Sequence, residues 1–229
     1  MFLISAGELF LKGKNVKFFE DFLVRNLKKD LCLKDKELVR KRFQYLVIRD
    51  EDPGIGRVFG VSTYAKVIEC NLKDYSDMAL GLLNGAKSFR VTCKKGIGGL
   101  KSSDVQKDLG AYIVEKKGLK VSLKDFDVDI NVHFLGGKVY LFTEKIKGWG
   151  GLPVGVTGSV SVDIQDPKRR KVAEFLMMKR GCNIVDGSEV VIKDLDLKNI
   201  KKEVKLTFYP LLGYTDKEVD NLYKENRCK

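Results

Sequence analysis

Between Gly148 and Gly181 the chain reads GWGGLPVGVTGSVSVDIQDPKRRKVAEFLMMKRG, and no other stretch restricts its fold as strongly. Val160 to Ile164 alternates apolar and polar residues, the period of a strand with one buried face, and Val172, Phe175 and Leu176 follow at the i, i+3, i+4 spacing of an amphipathic helix. Strand, loop and helix in that order are the layout of a phosphate cradle. Such a cradle needs glycines, so that the backbone can approach the phosphates and turn several N–H groups toward them at the helix N-terminus. The junction instead holds Gln165, Asp166 and Pro167, which make a good helix start, with Asp166 as N-cap acceptor and Pro167 at the first helical position. The Asp166 carboxylate is expected where a phosphate would have to go.

A chain of 229 residues with 44% apolar content can bury real cores and is expected to divide into two or three small units. Its formal net charge of +12 points to a polyanionic partner, because cationic surfaces attract nucleic acid by neutralising phosphates and releasing counterions. The opening MFLISAGELFLKG carries Glu8 within its apolar part and lacks a basic start, and no apolar run reaches membrane length. Neither a span nor a signal peptide fits, so a cytoplasmic location is expected. The cysteines at 32, 70, 93, 182 and 228 are scattered singly, which argues against zinc and for free thiols. Cys32, Cys70 and Cys93 read as small buried hydrophobes, whereas Cys228 lies at a polar terminus. His133 alternates with Val132 and Phe134 in a strand-like run and reads as a strand histidine, not a catalytic one.

Taken in order, Phe2 to Ser5 reads as a strand, and Phe18, Phe19, Phe22, Leu23, Leu27 and Leu31 form a stripe at helical spacing expected to pack as core. Strands follow at Leu38 to Phe43 and Tyr45 to Arg49, then a Pro53-Gly54 turn, a very short helix near Val58 and a strand across Val61 to Cys70. This βαββαβ order predicts a small ferredoxin-like unit. A second unit starts near Asp74, with Met78, Leu82 and Leu83 on one helix face, a strand at Ser88 to Thr92, and the basic glycine-rich loop CKKGIGGLKSS leading to a helix with Val105, Leu109, Tyr112 and Ile113 inward. Such a loop can hold phosphates through backbone N–H groups and ammonium charges. The tail carries strands at Glu189 to Ile192 and Glu203 to Phe208 and a charged helix from Asp216 to about Arg227.

Three motifs share one family order. GELFLKGKN followed by Phe19-Glu20 resembles the opening motif of the tRNA 4-thiouridine synthases, with Val16 where the family usually has Arg. FRVTCKK, SSDVQKDLGA, VDINVHF and KVYLF resemble the THUMP domain of that family and of other tRNA-modifying enzymes, with Lys95 in place of the usual second Arg. GWGGLPVG and AEFLMMKRG resemble the entrance to the family's adenylating domain. There the family loop reads SGGxDS, and its six positions fall on Gln165, Asp166, Pro167, Lys168, Arg169 and Arg170, none of which matches.

The resemblance implies an α+β chain: a ferredoxin-like domain over 1–72, a THUMP RNA-binding domain over 73–151 and a truncated PP-loop-like α/β remnant over 152–229. It implies a tRNA-binding protein that meets the acceptor end through residues up to about Gly151, with no catalytic residue, metal or cofactor of its own, although Mg-ATP belongs to the family. Lys12, Lys14, Asn15, Arg40, Arg42, Lys94, Lys95, Lys101, Ser102 and Ser103 are the expected RNA contacts, and Lys168, Arg169, Arg170 and Lys171 are candidates for further phosphate contacts. Expected partners are tRNA, a separate sulfurtransferase or other tRNA-modifying enzyme, and a second copy of the chain. The competing expectation is a divergent sulfurtransferase whose ATP site uses another loop or is completed by a partner.

Overall fold

The computed structural model describes residues 1–7, 9–41, 44–94, 96, 99, 101–194 and 207–226. The chain runs β1 (Phe2–Ser5), α1 (Val16–Asp30), β2 (Leu38–Lys41), β3 (Gln44–Val47), β4 (Thr63–Lys66), β5 (Ile68–Cys70), α2 (Tyr75–Leu80), β6 (Ser88–Cys93), α3 (Ser102–Lys117), β7 (Lys120–Val121), β8 (Val128–Leu135), β9 (Lys138–Phe142), β10 (Ile146–Lys147), β11 (Ser159–Asp163), α4 (Pro167–Lys179), β12 (Asn183–Ile184), β13 (Val191–Lys193), β14 (Thr207–Phe208) and α5 (Asp216–Asn226). Three sheets result, ordered β10-β4-β1-β3-β2, β5-β9-β8-β6-β7 and β12-β11-β13-β14. In the first, β4-β1-β3-β2 is the strand order of a ferredoxin-like unit whose second helix has shrunk to the 3-10 turn Ile55–Arg57, entered through Gly54 at φ 100°.

The run read as one strand from Val61 to Cys70 is two strands in two sheets. Val67 lies between them, donates its N–H to Met1 O at 3.1 Å and packs in a core with Leu3, Leu46, Ala65, Tyr140 and Phe142. Alternation cannot reveal such a break, because both halves keep one apolar face. In the second sheet β6 runs parallel to β7 and β8, while β9 is antiparallel to β8 and β5. Phe89, Cys93, Ile130, Val132, Val139 and Leu141 close one face against Ala79, Leu83, Val105, Leu109 and Ile113. Met78, read on one helix face with Leu82 and Leu83, is 41% exposed, and Ala79 and Leu83 take the buried face of their helical segment. The third sheet is parallel throughout, and Val160, Val162 and Ile192 pack with Val172, Ala173 and Met177 of α4 and with Val219 of α5.

Contacts gather the chain into two compact units, and neither is contiguous in sequence. One comprises Met1–Ile4, Val39–Asp52 and Tyr64–Ile146; the other comprises Ser5–Leu38, Pro53–Thr63 and Lys147–Lys229. Within the second, the segment from Gly148 to Thr157 is the knot that joins three pieces. Trp149 N donates to Gly56 O (2.9 Å), Gly150 N to Val61 O (2.9 Å), Leu152 N to Lys179 O (2.9 Å) and Gly155 N to Gly181 O (2.7 Å), while Asn26 Nδ2 of α1 donates to Val154 O (3.1 Å). Trp149, Phe59 and Phe175 pack as tilted and edge-on rings with centres 5.0 to 5.2 Å apart. A Cβ on Gly148 would lie 2.4 Å from Val61 O, and one on Gly151, at φ +72°, would lie 2.2 Å from Lys179 O. These glycines of the motif serve close backbone packing.

Two expectations about single residues fail. Cys32 is exposed at φ 49°, because the chain leaves α1 in a left-handed turn that points Leu31 and Leu33 inward on either side of it. The stripe on α1 divides: Leu23, Leu27 and Leu31 are buried with Glu20, but Phe18 is 50% exposed. The strand read from Glu203 is described only at Thr207–Phe208, and Arg227 and Cys228 lie outside the described residues.

Candidate nucleic-acid interface

β8 alternates so that Ile130 and Val132 enter the core while Asp129, Asn131 and His133 share the opposite face. The parallel register of β6 sets Arg90 beside Asp129 and Thr92 beside Asn131. Arg90 Nη2 donates to Asp129 Oδ2 at 2.5 Å and lies over the Phe126 ring at 4.1 Å, while Thr92 Oγ1 donates to Asp129 Oδ1 at 2.7 Å. Lys145 hydrogen-bonds the Oδ1 of Asn131, a side chain only 2% exposed. Burial, and then the charge of Lys94, hold the Lys145 ammonium below the ordinary lysine value. The same cluster acts on His133, whose pKa falls to about 4 through burial first and the charges of Lys145 and Lys94 after it. Gln44 Nε2 lies 3.3 Å from His133 Nδ1, and the buried His133 Nε2 and Arg90 Nε have no hydrogen-bond partner among the described residues. Cations are thus gathered on one sheet face around a single aspartate of that register, which suits a polyanion.

Among the described residues, only Lys94 of the expected RNA contacts stands in this cluster. Sequence reasoning misses Lys145, Arg90 and Asn131, although the i, i+2, i+4 spacing of Asp129, Asn131 and His133 already marks one polar face. Lys101 caps α3, and its backbone N–H donates to the Asp104 carboxylate at 3.2 Å; Ser103 Oγ donates to the same carboxylate at 3.3 Å, and Ser102 opens the helix. The anion at this helix start is therefore the protein's own. Lys14 and Asn15 are exposed just before α1, and Arg40 is exposed on β2. Arg42, Lys95 and the Lys12 side chain lie outside the described residues.

The loop from Gln165 to Arg170 is closed by the same device. Asp166 Oδ1 accepts the N–H of Arg169 at 2.7 Å with Pro167 in the first turn, and Gln165 Nε2 reaches Asp163 at 3.4 Å. Arg169 forks onto both carboxylate oxygens of Asp194, one through Nη2 at 3.1 Å, and bonds Asp216 at 2.8 Å; Lys168 meets Asp220 at 2.6 Å and Arg170 meets Glu174 at 2.9 Å. The cations of this run that looked available for phosphate are engaged with carboxylates, Lys171 apart. A nucleoside triphosphate does not fit these residues: the helix-start N–H of Arg169 is taken and no glycine opens the backbone. Arg169→Ala is expected to lower stability by about 1 kcal/mol, since it strands the partly buried Asp194 while the exposed Asp216 is left to water, and a urea titration checks it; an unchanged midpoint would reduce the fork to surface decoration.

Residues 79–144 match the THUMP domain and residues 1–65 match the ThiI ferredoxin-like domain. A probable tRNA sulfurtransferase of Thermococcus kodakarensis is 30% identical over 203 residues, covering 80% of this chain and 53% of its own. One from Mycoplasmopsis synoviae is 32% identical over 226 residues, covering 96% and 59%. The chain thus spans little more than half the length of these relatives. The crystal structure of a 4-thiouridine synthetase–RNA complex with bound ATP matches with a TM-score of 0.66 at 25% identity, over 84% of this chain and 52% of that one. PH1313 from Pyrococcus horikoshii shares the fold, with a TM-score of 0.80 at 23% identity over 98% of both chains. The fold is α+β, with ferredoxin-like and THUMP domains and a PP-loop-like α/β region.

Proposed function

We propose that this chain, which carries the ferredoxin-like and THUMP domains found in tRNA sulfurtransferases, is a tRNA-binding protein that meets the acceptor end and does not adenylate on its own. The observation that carries the reading is the THUMP sheet face on which Arg90, Lys94 and Lys145 gather. Phosphate contacts from such a face position a nucleic acid without reading its sequence, so binding should be broad among tRNAs and steep in salt. Replacing Lys94 and Lys145 together by Glu should weaken tRNA binding and reduce the salt slope by roughly 0.7–0.9 for each phosphate no longer neutralised. Fluorescence anisotropy across a salt series measures both, and an unchanged slope would move the interface elsewhere. In the same reading the domain division falls near residues 72 and 151, a separate tRNA-modifying enzyme supplies the chemistry, two copies pair in the manner of the family, and the protein works in the cytoplasm.

One observation favours a second reading, a divergent sulfurtransferase with a non-standard or partner-completed ATP site. The similar 4-thiouridine synthetase was solved with ATP bound, and its match extends over 84% of this chain. Calorimetric titration with Mg-ATP separates the two. No saturable heat is expected, because the Gln165–Arg170 loop holds its own carboxylate; saturable binding that survives changes in that loop would support the enzyme with a site elsewhere, and binding that those changes abolish would overturn the reading of this loop as closed.

A further inference from the structure

On α1 the residues at 20, 23 and 27 turn inward, which leaves Phe18, Phe22, Arg25 and Lys29 on the outward stripe at i, i+4, i+7 and i+11. Large apolar side chains on an exposed helix face need an explanation when they cluster. Phe18 is 50% exposed, and its ring centre lies 4.8 Å from that of Phe22 at an angle of 56°. Phe22 is fixed from two sides. The Arg25 guanidinium lies 4.1 Å over its ring, and a Cβ on Gly155 would come within 2.8 Å of it, so the knot segment backs the ring directly. Phe18 packs on that braced ring and edge-on with Phe19, 5.6 Å between ring centres, and half of its surface remains exposed. Lys14 and Lys17 at the start of α1 and Arg25 two turns on are exposed, against the exposed Asp21. An aromatic ring on a rigid support, bordered by cations, matches the chemistry of an unpaired nucleotide, whose base offers a π-face and whose phosphate offers a negative charge. A protein partner of similar apolarity would gain nothing from the cationic border unless it were acidic.

The geometry points to Phe18, backed by Phe22 and Arg25, as a stacking platform for an unpaired base of bound RNA, a site separate from the THUMP sheet face. This rests on the tRNA-binding reading above, and the test keeps the two apart. The full chain is titrated with two RNA hairpins: one blunt, one carrying a four-nucleotide single-stranded 3′ extension with 2-aminopurine in it. The wild-type chain is expected to favour the extended hairpin and to quench the 2-aminopurine. Phe18→Leu, which keeps the apolar bulk and removes the ring, should weaken the extended hairpin by about tenfold and abolish the quench while leaving the blunt hairpin unaffected; Phe18→Tyr should restore both. If Phe18→Leu changes neither signal, or weakens both hairpins equally, the platform is overturned while RNA binding stands. If sedimentation shows that the wild type self-associates and Phe18→Leu dissolves the assembly, the face is a contact between copies and the platform is likewise overturned. If the wild type binds neither hairpin, the tRNA-binding reading itself fails, and the wild-type titration alone reveals it.

Discussion

Gly151→Ala is expected to destabilise the chain by about 3–5 kcal/mol, the sum of a left-handed backbone forced on alanine and a collision that nothing nearby can absorb. The new Cβ would lie 2.2 Å from Lys179 O, the carbonyl that also accepts the Leu152 N–H, so relief requires the end of α4 to retreat and that hydrogen bond to lengthen. Its neighbour supplies the control. Gly150 has φ +65° but open space at its Cβ, and Gly150→Ala should cost only the backbone contribution of about 1–2 kcal/mol. Thermal melts of the two variants beside the wild type make the comparison, and equal losses would show that the tight approach at Gly151 carries no weight.

The second large effect is a loss of stability in mild acid. His133 takes up a proton at about 4 in the folded chain and near 6.5 when unfolded. Between these values the unfolded state binds more protons, so stability is full above pH 6.5 and falls as the pH drops toward 4. At 1.36 kcal/mol per pH unit the interval caps the loss from this residue at roughly 3 kcal/mol. The cause is burial reinforced by Lys145 and Lys94, and His133→Gln removes the titration while keeping a polar group beside Gln44. Denaturant titrations from pH 7 to 4.5 should show the wild type losing more stability than the variant. Parallel curves would mean that the imidazole titrates normally.

Much of the architecture was legible because local rules and tertiary packing agree. Period-two alternation marks β6 and β8, and the Asp166-Pro167 helix start was readable from capping chemistry alone. Misreadings arose where several structures satisfy one pattern. A helical stripe of six apolar residues says which residues share a side of α1, yet the buried arc is narrower than the stripe and excludes Phe18. A basic run says nothing about which carboxylates will meet it, and the partners of Lys168 and Arg169 lie 25 to 52 positions away. The cationic THUMP face required the register of β6 against β8, which no single strand encodes.

The knot at Gly148–Thr157 also bears on how the chain is made. Its partners are held in α1, in the turn after Gly56 and at the end of α4, so the unit it ties draws on residues separated by more than a hundred positions. During synthesis α1 and the Pro53–Thr63 segment emerge early, but the segment that ties them together, and the helix ending at Lys179, follow only after Lys147 has left the ribosome. Such pairing is slow because loop closure precedes the contacts that reward it. The nascent chain therefore carries Phe22, and Phe18 beside it, without the backing of Gly155 until that segment has emerged, and this is the interval in which a chaperone would find purchase on the pair.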